Sequence, residues 1–128
     1  MKPDIKGLTK LARAIQHVPK KNFNIHDWLS KEPSCGTVGC IAGWAALTFP
    51  HRFRKDITYK DDNGLIEYDV VHRQSGEIGS SGFAKAFKIT QEDAEELTLN
   101  NFSCKRTPQA AAKAVMALVG RLKKSLKK

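Results

Sequence analysis

The sequence predicts a mostly α domain: a compact bundle of about five helices around a buried helix at 38–47, with one small β-hairpin at 57–72. Three observations carry this expectation. Apolar residues recur at helical spacing near both ends of the chain, residues 38–47 are apolar or small throughout, and Asn63-Gly64 separates two β-prone runs. A chain of 128 residues can bury one core and is too short for two, so residues 1–120 are expected to form a single helical domain. Residues 121–128 then form a basic C-terminal helix end or tail.

Asp4 is placed to cap the first helix, in which Leu8, Leu11, Ala12 and Ile15 share a face while Lys6, Lys10 and Arg13 point elsewhere. Pro19 ends it. Asn24, with Asp27 three residues on, opens a short helical turn carrying Trp28 and Leu29, and Phe23 and Trp28 read as core anchors. Ser30 to Gly36 reads as a loop, and Thr37 as the cap of the 38–47 helix. Within that helix Gly39, Ala42, Gly43 and Ala46 form a small-residue stripe beside the bulkier Cys40, Trp44 and Leu47. Helical glycine costs about 1 kcal/mol relative to alanine, so two of them imply close packing.

Ile57 to Lys60 and Leu65 to His72 flank Asp61-Asp62-Asn63-Gly64, which gives the hairpin. A two-stranded ribbon is marginal alone and must lean on the helices. Gln74 to Gly82, with three glycines and three serines, reads as a flexible loop. Phe83 to Phe87 reads as a short helical piece, and Thr90 to Asp93 opens another helix with its acids at the favourable end of the dipole. Ala94 and Leu97 face the core in that helix. Asn100 to Arg106 connects to Thr107-Pro108, a cap followed by proline at the first helical position. The last helix sets Ala111, Val115, Leu118, Val119, Leu122 and Leu126 against Lys113, Lys124, Lys127 and Lys128, and Gly120 interrupts it.

The net charge of +9 is unevenly spread. Residues 1–60 hold 11 Lys/Arg against 4 acids, residues 61–96 hold 3 against 9, and residues 97–128 hold 8 against none. Basic ends around an acidic middle favour a polyanionic partner for one face. The longest apolar stretch falls short of the roughly 20 residues a bilayer span requires, and the N-terminus leads into a charged helix, not the apolar core of a signal peptide. A cytoplasmic protein is expected, with Cys35, Cys40 and Cys104 as reduced thiols.

Asn22-Phe23-Asn24-Ile25, followed by Cys35-Gly36-Thr37-Val38-Gly39-Cys40-Ile41-Ala42-Gly43-Trp44-Ala45, resembles a group of small bacterial and phage proteins of unassigned function. These share a Cys-Gly-Thr-x-x-Cys-Ile/Leu-Ala-Gly-Trp/His core. Ile89-Thr90-Gln91-Glu92-Asp93-Ala94 and Thr107-Pro108-Gln109-Ala110 resemble that group's two later helix starts. The resemblance implies a helical fold and a phage or mobile-element setting, and it implies no activity.

Chemistry is sparse. Cys35 or Cys40, beside a helix N-terminus, has the setting of an activated thiolate, and a cysteine-dependent hydrolase is the enzymatic alternative. His26, His51 and His72 are the available bases, and no motif surrounds them. Buried thiols packing a glycine-rich helix account for the same cysteines. Zinc held by Cys35, Cys40, Cys104 and one histidine would need Cys-x4-Cys, at the edge of usual ligand spacings. Asp61, Asn63, Glu67 and Asp69 match a calcium loop incompletely. Glu95 and Glu96 serve helix electrostatics, and the phosphate-cradling loop of nucleotide hydrolases is missing.

The expectation is therefore a non-catalytic accessory or regulatory protein that binds a host macromolecule without cofactor or metal. A protein partner stands ahead of nucleic acid, and no membrane partner is expected, because the apolar face of the last helix carries no interfacial aromatic residue. The binding residues expected from charge clustering are Arg121, Lys123, Lys124, Lys127 and Lys128, with Lys20, Lys21, Arg52, Arg54 and Lys55 as a second patch.

Overall fold

The computed structural model describes residues 2–23, 29–32, 36–98 and 107–127. Among these, five α-helices and a four-stranded antiparallel sheet make a mixed α and β architecture. The elements are α1 (Ile5–Gln16), a 3-10 turn (Lys20–Asn22), β1 (Leu29–Glu32), β2 (Gly36–Gly39), α2 (Ile41–Thr48), β3 (Phe53–Lys60), β4 (Ile66–His72), α3 (Gly79–Phe87), α4 (Gln91–Thr98) and α5 (Pro108–Leu126).

The caps follow the sequence. The Asp4 carboxylate accepts from the Gly7 N–H at 3.0 Å, Thr90 Oγ1 from the Asp93 N–H at 3.1 Å, and Thr107 Oγ1 from the Ala110 N–H at 3.0 Å. The apolar faces of α1 and α5 pack together, burying Leu8, Leu11 and Ile15 with Ala111, Val115 and Leu118. Helix α5 runs through Gly120 without a break, while Leu126 at its end is 48% exposed.

Four expectations are corrected. The helix foreseen at 38–47 begins only at Ile41, with Cys40 as its cap, and Gly36–Gly39 is strand β2. A short apolar run is compatible with a buried strand or a helix, and here pairing with β1 decides it. Ser30–Glu32, foreseen as loop, belongs to β1. The hairpin of β3 and β4 is therefore not the whole sheet: the strand order is β2-β1-β4-β3, with Ser30 opposite Glu67 joining the two hairpins. Its first strand also starts four residues earlier than foreseen, at Phe53 instead of Ile57.

The fourth correction concerns the glycine- and serine-rich segment, in which α3 already starts at Gly79. Gly82 explains this. A Cβ there would lie 2.4 Å from the Glu77 carbonyl oxygen and 3.3 Å from His72 Cβ, so the bare backbone lets the β4–α3 connection fold against the helix. The Asn24 cap, Trp28, the Asn100–Arg106 connection, Cys35, Cys104 and Lys128 lie outside the described residues.

Helix α2 touches α1, α3, α4 and all four strands and buries Ile41, Ala42, Gly43, Ala45 and Ala46. Trp44 is half-buried and donates its indole N–H to the Asn22 carbonyl at 3.1 Å. Phe49, Phe53, Phe83 and Phe87 form a connected aromatic cluster, with Phe83 and Phe87 centroids 4.7 Å apart. Among the described residues no helix is long and apolar enough to cross a membrane.

A candidate anion-binding groove

Arg52 organises one end of the molecule. It leaves the α2–β3 connection, stacks on Phe49 at 4.6 Å and Phe87 at 5.4 Å, pairs with the Asp4 carboxylate and donates to the Ala86 carbonyl at 3.3 Å. The Asp4 backbone N–H donates to the Phe87 carbonyl at 2.9 Å. The start of α1, the start of β3 and the end of α3 are thereby tied together. Burial would raise the pKa of Asp4, but the Gly7 N–H, Arg52 and Lys88 outweigh it and hold the carboxyl below its usual 3.8.

Around this tie lies a groove of about 730 Å³. Among the described residues five cations line it, Lys2, Arg52, Arg73, Lys85 and Lys88, against a single carboxylate, Asp4, which Arg52 already neutralises. His51 and His72 complete its titratable lining. Arg73 is fixed from behind, its Nε donating to the Pro50 carbonyl at 2.9 Å and the Phe53 carbonyl at 3.0 Å. Lys85 stands 3.7 Å from Glu77, a solvent-exposed pair that costs it little availability. Lys88 caps α3 in the left-handed conformation, φ 58°, the only positive φ on a non-glycine residue among those described.

His72 is buried at the groove wall, 8% exposed, with its ring against Phe53. Its Nδ1 faces the Ser75 hydroxyl at 2.8 Å and the Ser75 N–H at 3.3 Å, so Nδ1 is the acceptor and the ring proton sits on Nε2. Burial is the strongest influence and lowers the pKa below the usual 6.5; Glu77 pulls it up, and Lys85 and Arg52 push it down. The hydroxyl–imidazole pair closes a turn, because Ser75 Oγ also accepts from the Glu77 N–H at 3.2 Å and the His72 N–H donates to the Glu77 carbonyl at 2.8 Å.

Lys128 lies outside the described residues, and of the other nine binding residues expected from charge clustering only Arg52 lines the groove, where its role is mainly structural. Arg54 pairs with Asp56 at 3.1 Å, Lys55 lies 5.0 Å over the Tyr68 ring, and Arg121 reaches Glu96 at 3.3 Å. Lys20 and Lys21 are exposed on the 3-10 turn, and Lys123, Lys124 and Lys127 are exposed on the last turns of α5. Charge clustering missed Lys2, Arg73, Lys85 and Lys88 because Lys2 is remote from the others and Arg73, Lys85 and Lys88 are outnumbered by acids in the segment 61–96. All three cations of the acidic middle segment, Arg73, Lys85 and Lys88, converge on the groove.

The other candidate chemistries change character. Cys40 is 3% exposed. Asp61 Oδ1 accepts from the Asn63 N–H at 2.9 Å and the Leu65 N–H at 3.0 Å, which makes it the clasp of the β3–β4 turn. Among the described residues no three His, Cys, Asp or Glu side chains gather as a metal site. No family model matches the chain, and no curated protein or solved structure matches it.

Proposed function

We propose that the protein is a small non-catalytic accessory protein that binds nucleic acid through phosphate contacts in the basic groove. The observation that carries this reading is the convergence of five Lys/Arg side chains on one concavity in whose described lining the only carboxylate is already paired. Such a surface attracts phosphates, and the affinity falls steeply with salt as counterions are released. This ordering reverses the sequence-based preference for a protein partner, because the cations are gathered by the fold and not by the chain. A cytoplasmic, phage or mobile-element setting belongs to the same proposal.

The test is equilibrium binding of random duplex DNA, single-stranded DNA and RNA across a salt series. Three forms are compared: the full chain, a chain ending at Gly120, and the charge-reversed Lys85→Glu/Lys88→Glu variant. The reading predicts salt-sensitive binding lost in the charge-reversed variant and largely kept on truncation. Binding lost only on truncation would assign the contact to Arg121–Lys128 instead.

A protein partner remains the second reading, favoured by one specific feature. Strand β3 is one of the two outer strands of the described sheet and exposes Ile57 by 60% and Tyr59 by 50%. An outer strand with large apolar side chains is a surface for strand addition.

A further inference from the structure

We infer that the groove takes a terminal phosphate on a nucleic-acid strand, a phosphomonoester and not an internal phosphodiester. The inference rests on the reading of the groove as the nucleic-acid contact and names what it holds. An internal phosphodiester brings one negative charge. A terminal phosphate brings about −1.5 to −2 near neutral pH and three acceptor oxygens on one atom. The groove matches the second.

Its cations come from three places in the fold: Lys2 from ahead of α1, Arg52 and Arg73 side by side at the open end of the β3–β4 hairpin, where the Arg73 N–H donates to the Arg52 carbonyl at 2.9 Å, and Lys85 and Lys88 from the end of α3. Proteins that track a strand's backbone spread their cations along a channel and interleave aromatic residues for the bases. Here the cations surround a single concavity, and the described lining contains no Phe, Tyr or Trp. The volume, about 730 Å³, lies within the roughly 300–1,000 Å³ of pockets that enclose a compact ligand.

Two further observations point the same way. His72 is more than nine-tenths buried, and with Nδ1 held by Ser75 its Nε2–H is the ring's remaining donor at the groove wall, suited to a phosphate oxygen. Lys88 occupies a left-handed position that glycine fills without strain, and strained residues persist where a site requires their side chain. Recognition through phosphate oxygens alone makes the binding independent of base sequence.

The test uses one mixed-sequence single strand in three forms: 5′-phosphorylated, 3′-phosphorylated and without a terminal phosphate. At physiological salt the full chain is expected to bind one phosphorylated form at least about tenfold more tightly than the unphosphorylated strand. That advantage should vanish in Lys88→Gly and Lys85→Gln, both still folding cooperatively in thermal melts. Equal affinity for all three forms overturns the terminal-phosphate inference while leaving the nucleic-acid reading intact. Failure of every form to bind at low salt overturns both. An advantage that survives both substitutions overturns the placement in the groove. A mononucleotide, or a phosphoserine peptide of matched charge, binding as tightly as the phosphorylated strand overturns the assignment to a strand end.

Discussion

Lys88 shows how a single residue reports on the site. Its left-handed backbone, φ 58°, costs a side-chain-bearing residue about 1–2 kcal/mol, part of which glycine would return as unfolded-state entropy. Lys88→Gly is therefore expected to stabilise the fold by roughly 0.5–1 kcal/mol in urea denaturation, even as it removes a groove cation. Gly7 and Gly82 carry the opposite expectation. A Cβ on Gly7 would fall 2.2 Å from an Asp4 carboxylate oxygen, and one on Gly82 2.4 Å from the Glu77 carbonyl oxygen. Either alanine variant should lose about 1–3 kcal/mol by the same measurement. Gly82→Ala is the more damaging, because backbone cannot swing aside as the Asp4 side chain can.

The two shifted groups fix the pH dependence at this scale. His72 binds a proton less readily when folded than its usual 6.5, so the unfolded chain takes up more protons there and stability is lost as pH falls below about 6.5. Asp4, held below 3.8, adds a second loss as pH falls through its lower folded value. Denaturation midpoints across pH should show both steps, and His72→Gln should abolish only the upper one.

At the scale of elements, α5 is continuous through Gly120, which is exposed and where an added Cβ would meet nothing within 4 Å. Gly120→Ala should thus stabilise the protein by about 0.5–1 kcal/mol, the ordinary helix-propensity difference. The elements legible in the sequence are those with local signals. Asp4, Thr90 and Thr107-Pro108 mark helix starts, and the Asp61 to Gly64 turn marks the hairpin. The illegible ones depend on distant partners. Nothing local distinguishes Gly36–Gly39 from the start of a helix, because its strand character comes from pairing with β1. Gly79–Gly82 reads as loop because Gly82 answers to the close Glu77 carbonyl and not to helix propensity.

At the scale of the whole molecule, the charge pattern along the chain gives a misleading map. The clustered cations of residues 52–55 do not act together: Arg52 turns to Asp4 in the groove, while Arg54 beside Asp56 and Lys55 over Tyr68 stay on strand β3. The groove instead draws on residues 2, 52, 73, 85 and 88, a set that only the folded chain assembles. Convergence in space, which decides whether charges act on one ligand, has no counterpart in a count of charges along a segment. The account's central claim is that phosphate contacts fall in this groove. The most direct measurement is a titration of the full chain with single-stranded oligonucleotide, followed residue by residue through backbone amide resonances. The account predicts saturable shifts concentrated at residues 2–4, 51–52, 72–74 and 85–88, weakening with added salt. Shifts concentrated instead at residues 121–127, or along β3 at 53–60, would contradict it.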